Sequence, residues 1–243
     1  MKKKTIIASA IITVIILAMG ATAVFLKNKN SPSPVLTANF IDLDKVDKIS
    51  KFRSCQGHTV VPQDESESAR NMKHYVVLKP EYSGQEKVEI FSPLDGFIQG
   101  IRSNPKEGLE GEIWIGQEHT PWAVSFEHIN LLDRLKEGQE VKAGELIGFV
   151  SNKGIDVVYA TGGDGVKIID GYASPFGALD SAFSHMSAEI IGKYQTKGID
   201  SAETLIYSRE YRDQNPCRYS TGSQAGGGQL NDFEHPEDWI FLK

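Results

Sequence analysis

Few side chains in this 243-residue sequence are equipped for chemistry. There are two cysteines, Cys55 and Cys217, and six histidines, among them His58, His74, His119, His128 and His185, while Asp156 is a carboxylate inside an otherwise apolar run. In an oxidising compartment an even cysteine count favours a disulfide, which here would staple the stretch before the middle of the chain to the stretch after it. Two unpaired buried thiols are the alternative reading. Oxidation of Cys55 would remove the thiolate that a Cys–His nucleophile with nearby His58 needs. His74, beside Tyr75 at the start of a strand, and His128 both suit structural hydrogen-bonding roles on the wall of a β core. Aromatic rings are platforms for sugars and peptides, which makes Trp114, Trp122, Tyr159 and Tyr172 candidate binding residues. Tryptophans at strand spacing suit a core equally well. The glycine run Thr161–Gly165 lacks the lysine and following helix of a phosphate cradle, so it reads as a flexible loop.

The elements that must position these residues centre on Glu89 to Val150. Val88–Phe91, a turn at Pro93–Gly96 and Phe97–Ile101 read as two strands about a tight corner. Gly138, Gly144 and Gly148, with Val141 and Ile147 between them, suit the turns and interior of a small barrel. A hairpin loop is expected at Asn104–Gly111, a strand with Trp122, Val124, Phe126 and His128 on one face at Trp122–His128, and further strands at Tyr75–Leu78 and Asp156–Ala160. Leu43, Val46, Ile49 and Phe52 recur at a helical spacing of three between Ile41 and Phe52, and Gln63–Asn71 reads as a surface loop or a short helix. Phe183, Met186, Ile190 and Tyr194 predict a helix closed by Gly198, and Asp200 with Glu203 marks a second helix that ends before Pro216. Gly222–Gly228 is a loose linker, and the closing Trp239–Leu242 is apolar enough to dock back on the fold.

Three lysines precede an uncharged apolar segment from Thr5 to Leu26, which is long enough to span a bilayer with its N-terminus inside. A cleaved signal peptide, with Ala21–Ala23 as its cleavage site, competes with an uncleaved anchor. Either reading puts the remaining chain outside the cytoplasm, on a membrane through the N-terminal helix if the segment is kept. A net charge of −6 without long charged blocks argues against a nucleic-acid partner. The organisation expected is an anchor or signal at 1–27, a linker and N-terminal extension at 28–71, a β core at 72–165, a helical extension at 166–221, and a glycine-rich linker with a docked tail at 222–243.

"SPLDGFI", "FEHI" and "LKEGQEVKAGELIGFV" together resemble the core of the lysostaphin-type (LytM-like) zinc endopeptidases. The last piece also resembles the barrel-sandwich hybrid motif of biotinyl and lipoyl domains and of efflux adaptors, though the residues around Lys142 do not match an attachment site. The resemblance covers roughly 72 to 160. It implies a mainly β fold: a LytM-like core of duplicated hybrid motif, with a C-terminal helical extension and an N-terminal transmembrane helix. It also implies a His and an Asp ligand four residues apart, a further His ligand from an H-x-H pair, and a Y-x-H-L histidine serving catalysis. His128 stands at that catalytic position and His74 near the first metal ligand. Leu78 stands where the Asp belongs, and Ile155–Tyr159 offers only Asp156 where H-x-H belongs. Loss of ligands removes a site that depends on their convergence. The resemblance therefore implies a binding or scaffolding module without a cofactor, whose partner is a cell-envelope polymer, a surface peptide or a membrane protein. The alternatives are an active zinc endopeptidase, with relocated ligands such as His58, His119 or His185 with Asp156, and an adaptor contacting another membrane protein.

Overall fold

The computed structural model describes residues 33–68, 70–84, 88–104, 109–169, 172–217, 229–231 and 236–243. The apolar segment expected as an anchor and the Gly222–Gly228 linker lie outside these residues, and among those described no helix is long and apolar enough to cross a membrane.

The strands, in chain order, are β1 (Val46–Ser50), β2 (Gln56–His58), β3 (His74–Leu78), β4 (Glu89–Phe91), β5 (Gly96–Asn104), β6 (Leu109–Gly116), β7 (Trp122–Leu131), β8 (Glu140–Val141), β9 (Leu146–Val150), β10 (Gly154–Ile169), β11 (Tyr172–Asp180), β12 (Gln229–Asn231) and β13 (Trp239–Phe241). Eleven of them form a sheet with the order β13-β1-β3-β10-β7-β6-β5-β8, in which β11 joins β10, and β9 links β4 to β7. β12 and β2 form a separate pair. All of these strand pairings are antiparallel. The expected mainly β architecture and its β5–β6 hairpin are present, and the sheet draws strands from both sides of the expected 72–165 core.

β7 and β10 occupy the middle, and both of their faces are covered. One face packs Phe126, Val124, Val157 and Tyr159 into a large cluster with Phe40, Phe183 and Tyr194. On the other, Val158 and Ala160 join Phe52, Val60, Met72 and Leu179, with Trp114 and Phe176 at the margin. A strand buried on both faces reads as a continuous apolar run, as Ile155–Ala160 does apart from Asp156.

Several expectations fail for identifiable reasons. Ile41–Phe52 is not a helix: Asp42 caps a single 3-10 turn at Leu43–Lys45, and the chain then enters β1. The register of β1 against β3 slips between Val46 and Lys48, a bulge that returns Val46 and Ile49 to one buried face despite their spacing of three. Thr161–Gly165 is not a free loop, because β10 runs through it to Ile169 opposite β11. There Gln63 stitches the bulged ladder, its Nε2 donating to Gly165 O and Ser174 O at 2.9 and 2.7 Å and its Oε1 accepting from Asp164 N. The polar stretch after Gln63 turns inward: Glu67 and Arg70 are buried, with Glu67 ion-paired to Arg53 and Arg70 to Asp213.

The C-terminal helices are shorter than their spacing predicts. Phe183 sits in a 3-10 turn, Ala182–His185, and helix α1 (Ala188–Gln195) starts at the Ser187 cap. Ile190 and Tyr194 face the core, and Gly198 at φ +91° closes the segment as expected. The second helix is split into a 3-10 turn at Ala202–Leu205 and α2 (Arg209–Gln214), capped by Ser208. The closing apolar residues do dock, with β13 pairing β1 through Ile49 opposite Ile240. A Cys55–Cys217 disulfide ties α2's exit to the segment before β2.

Candidate functional site

Near its end β7 is interrupted. Glu127 pairs with Asp156 on β10 and Glu112 on β6, but His128 adopts φ +65° and the β6 register slips beside it. Left-handed backbone is uncommon for a residue with a Cβ and is worth reading as a functional or strained position. The bulge turns His128 out of the core face shared by Val124 and Phe126, so its expected place on that face is not realised, and its side chain is 45% exposed. Its Nδ1 is hydrogen-bonded to Glu110 Oε2, and Ser151 Oγ lies 2.8 Å from both Glu110 Oε1 and His128 O. The bond to His128 holds the Glu110 carboxyl below the usual glutamate range. His128 Nε2 thereby points towards Asp156 Oδ2, 3.8 Å away.

Donor atoms of Glu127, His128 and Asp156 all lie within 4.8 Å of one another. The space among them is contested by Lys73, which enters from the residue before β3. Its Nζ is 2.6 Å from Glu127 Oε2 and 3.3 Å from Asp156 Oδ2, and the residue is 7% exposed. Asn71 fixes the approach, accepting from Lys73 N at 3.0 Å and donating to Ser54 Oγ at 2.8 Å. Burial pulls the ammonium's pKa down, but the two carboxylates outweigh it and the net direction is up. Asp156, 4% exposed, is pushed up to about 6 by burial, with the Lys73 charge pulling it back. Burial and then the Lys73 charge lower the pKa of neighbouring His58.

A divalent ion at this point would draw on oxygens already engaged by an ammonium and would sit against a like charge in a poorly solvated place. Two carboxylates and an imidazole are a competent donor set. With Lys73 between them they do not fit a metal.

The other sequence candidates lie elsewhere. His74 is buried, with Nδ1 2.9 Å from Ser50 O and Nε2 2.8 Å from Ser181 Oγ. Burial lowers its pKa to about 4, so it is neutral at pH 7, and it stands outside the Glu127–His128–Asp156 group. Leu78 and Val158 are core residues. His185 bonds Asp180 at 2.9 Å and stacks on Tyr159, whose other neighbour is Trp122. His119 lies beside Glu118, outside the donor group.

Lys73 and Glu127 also line a groove of about 890 Å³. Trp114 also lines it, 5.6 Å from the Phe176 ring and donating from Nε1 to Glu112 Oε1 at 2.7 Å. Its lining includes the small residues Gly100, Ala123, Ala160 and Gly162. Of the four aromatic residues singled out for binding, Trp114 lines this groove, Trp122 and Tyr159 stack on each other outside it, and Tyr172 opens β11 and is not part of its lining. A smaller hollow of about 340 Å³ holds His128, Glu110 and Asp156, so the Lys73–carboxylate contact stands between two openings. Sequence reasoning passed over Lys73 and Glu127. The available signal was Asp156, since a lone carboxylate in a buried strand requires a partner.

These features define an antiparallel β protein with an aromatic and polar groove lined in part by the salt-bridged Lys73 and Glu127. No protein-family model and no curated protein matches the chain. Among solved structures it is similar to Helicobacter pylori Csd3, with a TM-score of 0.35 and 15% identity over 53% of this chain. The match spans 32% of that protein.

Proposed function

We propose that this chain is a non-hydrolytic binding module of the cell envelope, anchored through its N-terminal segment, with a core like that of the LytM peptidases. Its groove takes an extended stretch of an envelope polymer or surface peptide. The observation that carries this reading is the Lys73 ammonium, held 2.6 Å from Glu127 in the groove's lining, where a hydrolase would keep a metal-bound water. Without an ion to lower the pKa of a water, His128 has no nucleophile to serve. What is left is a recognition surface: an aromatic wall, a lining of small residues that admits a close backbone, and fixed charges that orient the ligand.

Gly162 supplies the test. Gly162 lines the groove and a Cβ added there meets nothing within 4 Å, so the side chain of Gly162→Phe starts in open space at the groove, and an unchanged circular dichroism spectrum checks that the variant is folded. The wild-type protein should co-sediment with purified cell-wall polymer, and Gly162→Phe should weaken that at least about tenfold, or 1.4 kcal/mol. Equal sedimentation of both proteins, or none by the wild type, refutes the reading.

The three converging donors favour one second reading, a zinc endopeptidase using Glu127, His128 and Asp156. It requires Lys73 to leave its two carboxylates, and the metal content of the purified protein decides between the two.

A further inference from the structure

We infer that Lys73 is the site's resident cation: its tethered ammonium bridges Glu127 and Asp156, the two carboxylates that together with His128 would hold a divalent ion, and Lys73 alone keeps such ions out. The inference deepens the binding-module reading and rests on it only for the absence of metal in the wild-type protein.

Three observations support it. First, the donors are already gathered, with Glu127, His128 and Asp156 offering atoms within 4.8 Å of one another. A mixed carboxylate and imidazole set suits Mn2+, Co2+ or Zn2+. Second, the donors are oriented by groups that do not depend on Lys73. Glu110 holds His128 Nδ1, which leaves Nε2 facing Asp156, and strand pairing fixes Glu127 opposite Asp156. A hydrogen bond on the second ring nitrogen is how metal-ligating histidines are commonly set. Third, the ammonium engages both carboxylates at 2.6 and 3.3 Å and is itself almost fully buried. It therefore serves as their counter-charge. Two carboxylates against one ammonium leave the cluster net negative, and removing the lysine takes that counter-charge from buried Asp156 and partly buried Glu127. The substitution thus removes both the charge that repels a divalent ion and the bulk that excludes it.

The experiment is a titration of the full-length protein and its Lys73→Ala variant with Co2+, read by the visible absorption of the ligated ion, with Mn2+ calorimetry alongside. Wild type should show no saturable binding. Lys73→Ala should bind one equivalent at least 100-fold more tightly, and adding Asp156→Asn to it should abolish the gain. Should Lys73→Ala be unfolded without metal, its recovery of the wild-type circular dichroism on adding Co2+ is the same result. Equal binding by wild type and variant overturns the inference. So does a folded Lys73→Ala that binds no ion, or an unfolded one that metal does not rescue. Failure here leaves the groove test with Gly162→Phe standing, and failure of that test leaves this one standing.

Discussion

Replacing Lys73 by methionine keeps most of the side chain's volume and deletes its charge, which isolates the electrostatic role of the ammonium. In the wild-type protein the charge lies 2.6 Å from Glu127 and 3.3 Å from Asp156, with all three side chains less than one-fifth exposed. Breaking a buried pair by removing one partner costs about 3 to 5 kcal/mol, because the stranded charge cannot be rehydrated. At pH 7 the variant should therefore lose about that much stability. The loss should depend on pH in a defined direction. Asp156 already sits at about 6 in the folded protein, and the Lys73 charge is one of the influences holding it down, so the variant raises it further. A carboxyl whose folded pKa lies above its unfolded value contributes stability that is complete below the unfolded pKa and disappears as pH rises through the folded one. Each added unit of upward shift is worth about 1.4 kcal/mol, so the gap between variant and wild type should narrow by about 1 to 2 kcal/mol between pH 7 and pH 5. Urea denaturation at the two pH values measures this through the midpoint at constant slope. A loss under about 1 kcal/mol at pH 7, or the same loss at both pH values, would refute the reasoning.

His74 should show the opposite sign. Burial depresses its pKa to about 4, so its contribution is present above the ordinary histidine value of 6.5 and is lost as pH falls through 4, about 3 kcal/mol in all; a His74→Gln variant should lack that acid-side decline in urea midpoints. The Cys55–Cys217 bond closes a separation of 162 residues, and in the chain-entropy model its replacement by two serines costs about 5 kcal/mol, read as a lowered urea midpoint relative to the oxidised protein. Deleting Trp239–Lys243 uncovers the outer edge of β1 and removes Ile240 and Leu242 from the core, so it should lower the thermal midpoint by several degrees; an unchanged midpoint would show that the docked tail is dispensable.

The strand pattern was legible wherever the apolar period was clean. β5, β6 and β9 follow from alternating apolar residues and turn glycines, because each has a local signal strong enough to fix its register. Bulges defeated the same reasoning at β1 and at β10. A single extra residue between Val46 and Lys48 turns a strand's spacing into a helix's, and Gln63, a hundred positions away, holds the glycines of β10 in a ladder. No local pattern contains a partner so distant. The site followed the same rule. Asp156 was visible as an anomaly in an apolar strand, and His128 through its resemblance to a family motif. The partners that decide the chemistry were not visible, since Lys73 and Glu127 look like ordinary charged surface residues until β3, β7 and β10 bring them together.

Whether an ammonium stands where a hydrolase would hold its ion is read from the metal content of the protein purified without chelator and measured by mass spectrometry. Zinc should be well below one equivalent per chain, with no cleavage of cell-wall cross-bridges or glycine-rich peptides. One zinc per chain, with cleavage lost in His128→Ala and on chelation, would contradict it.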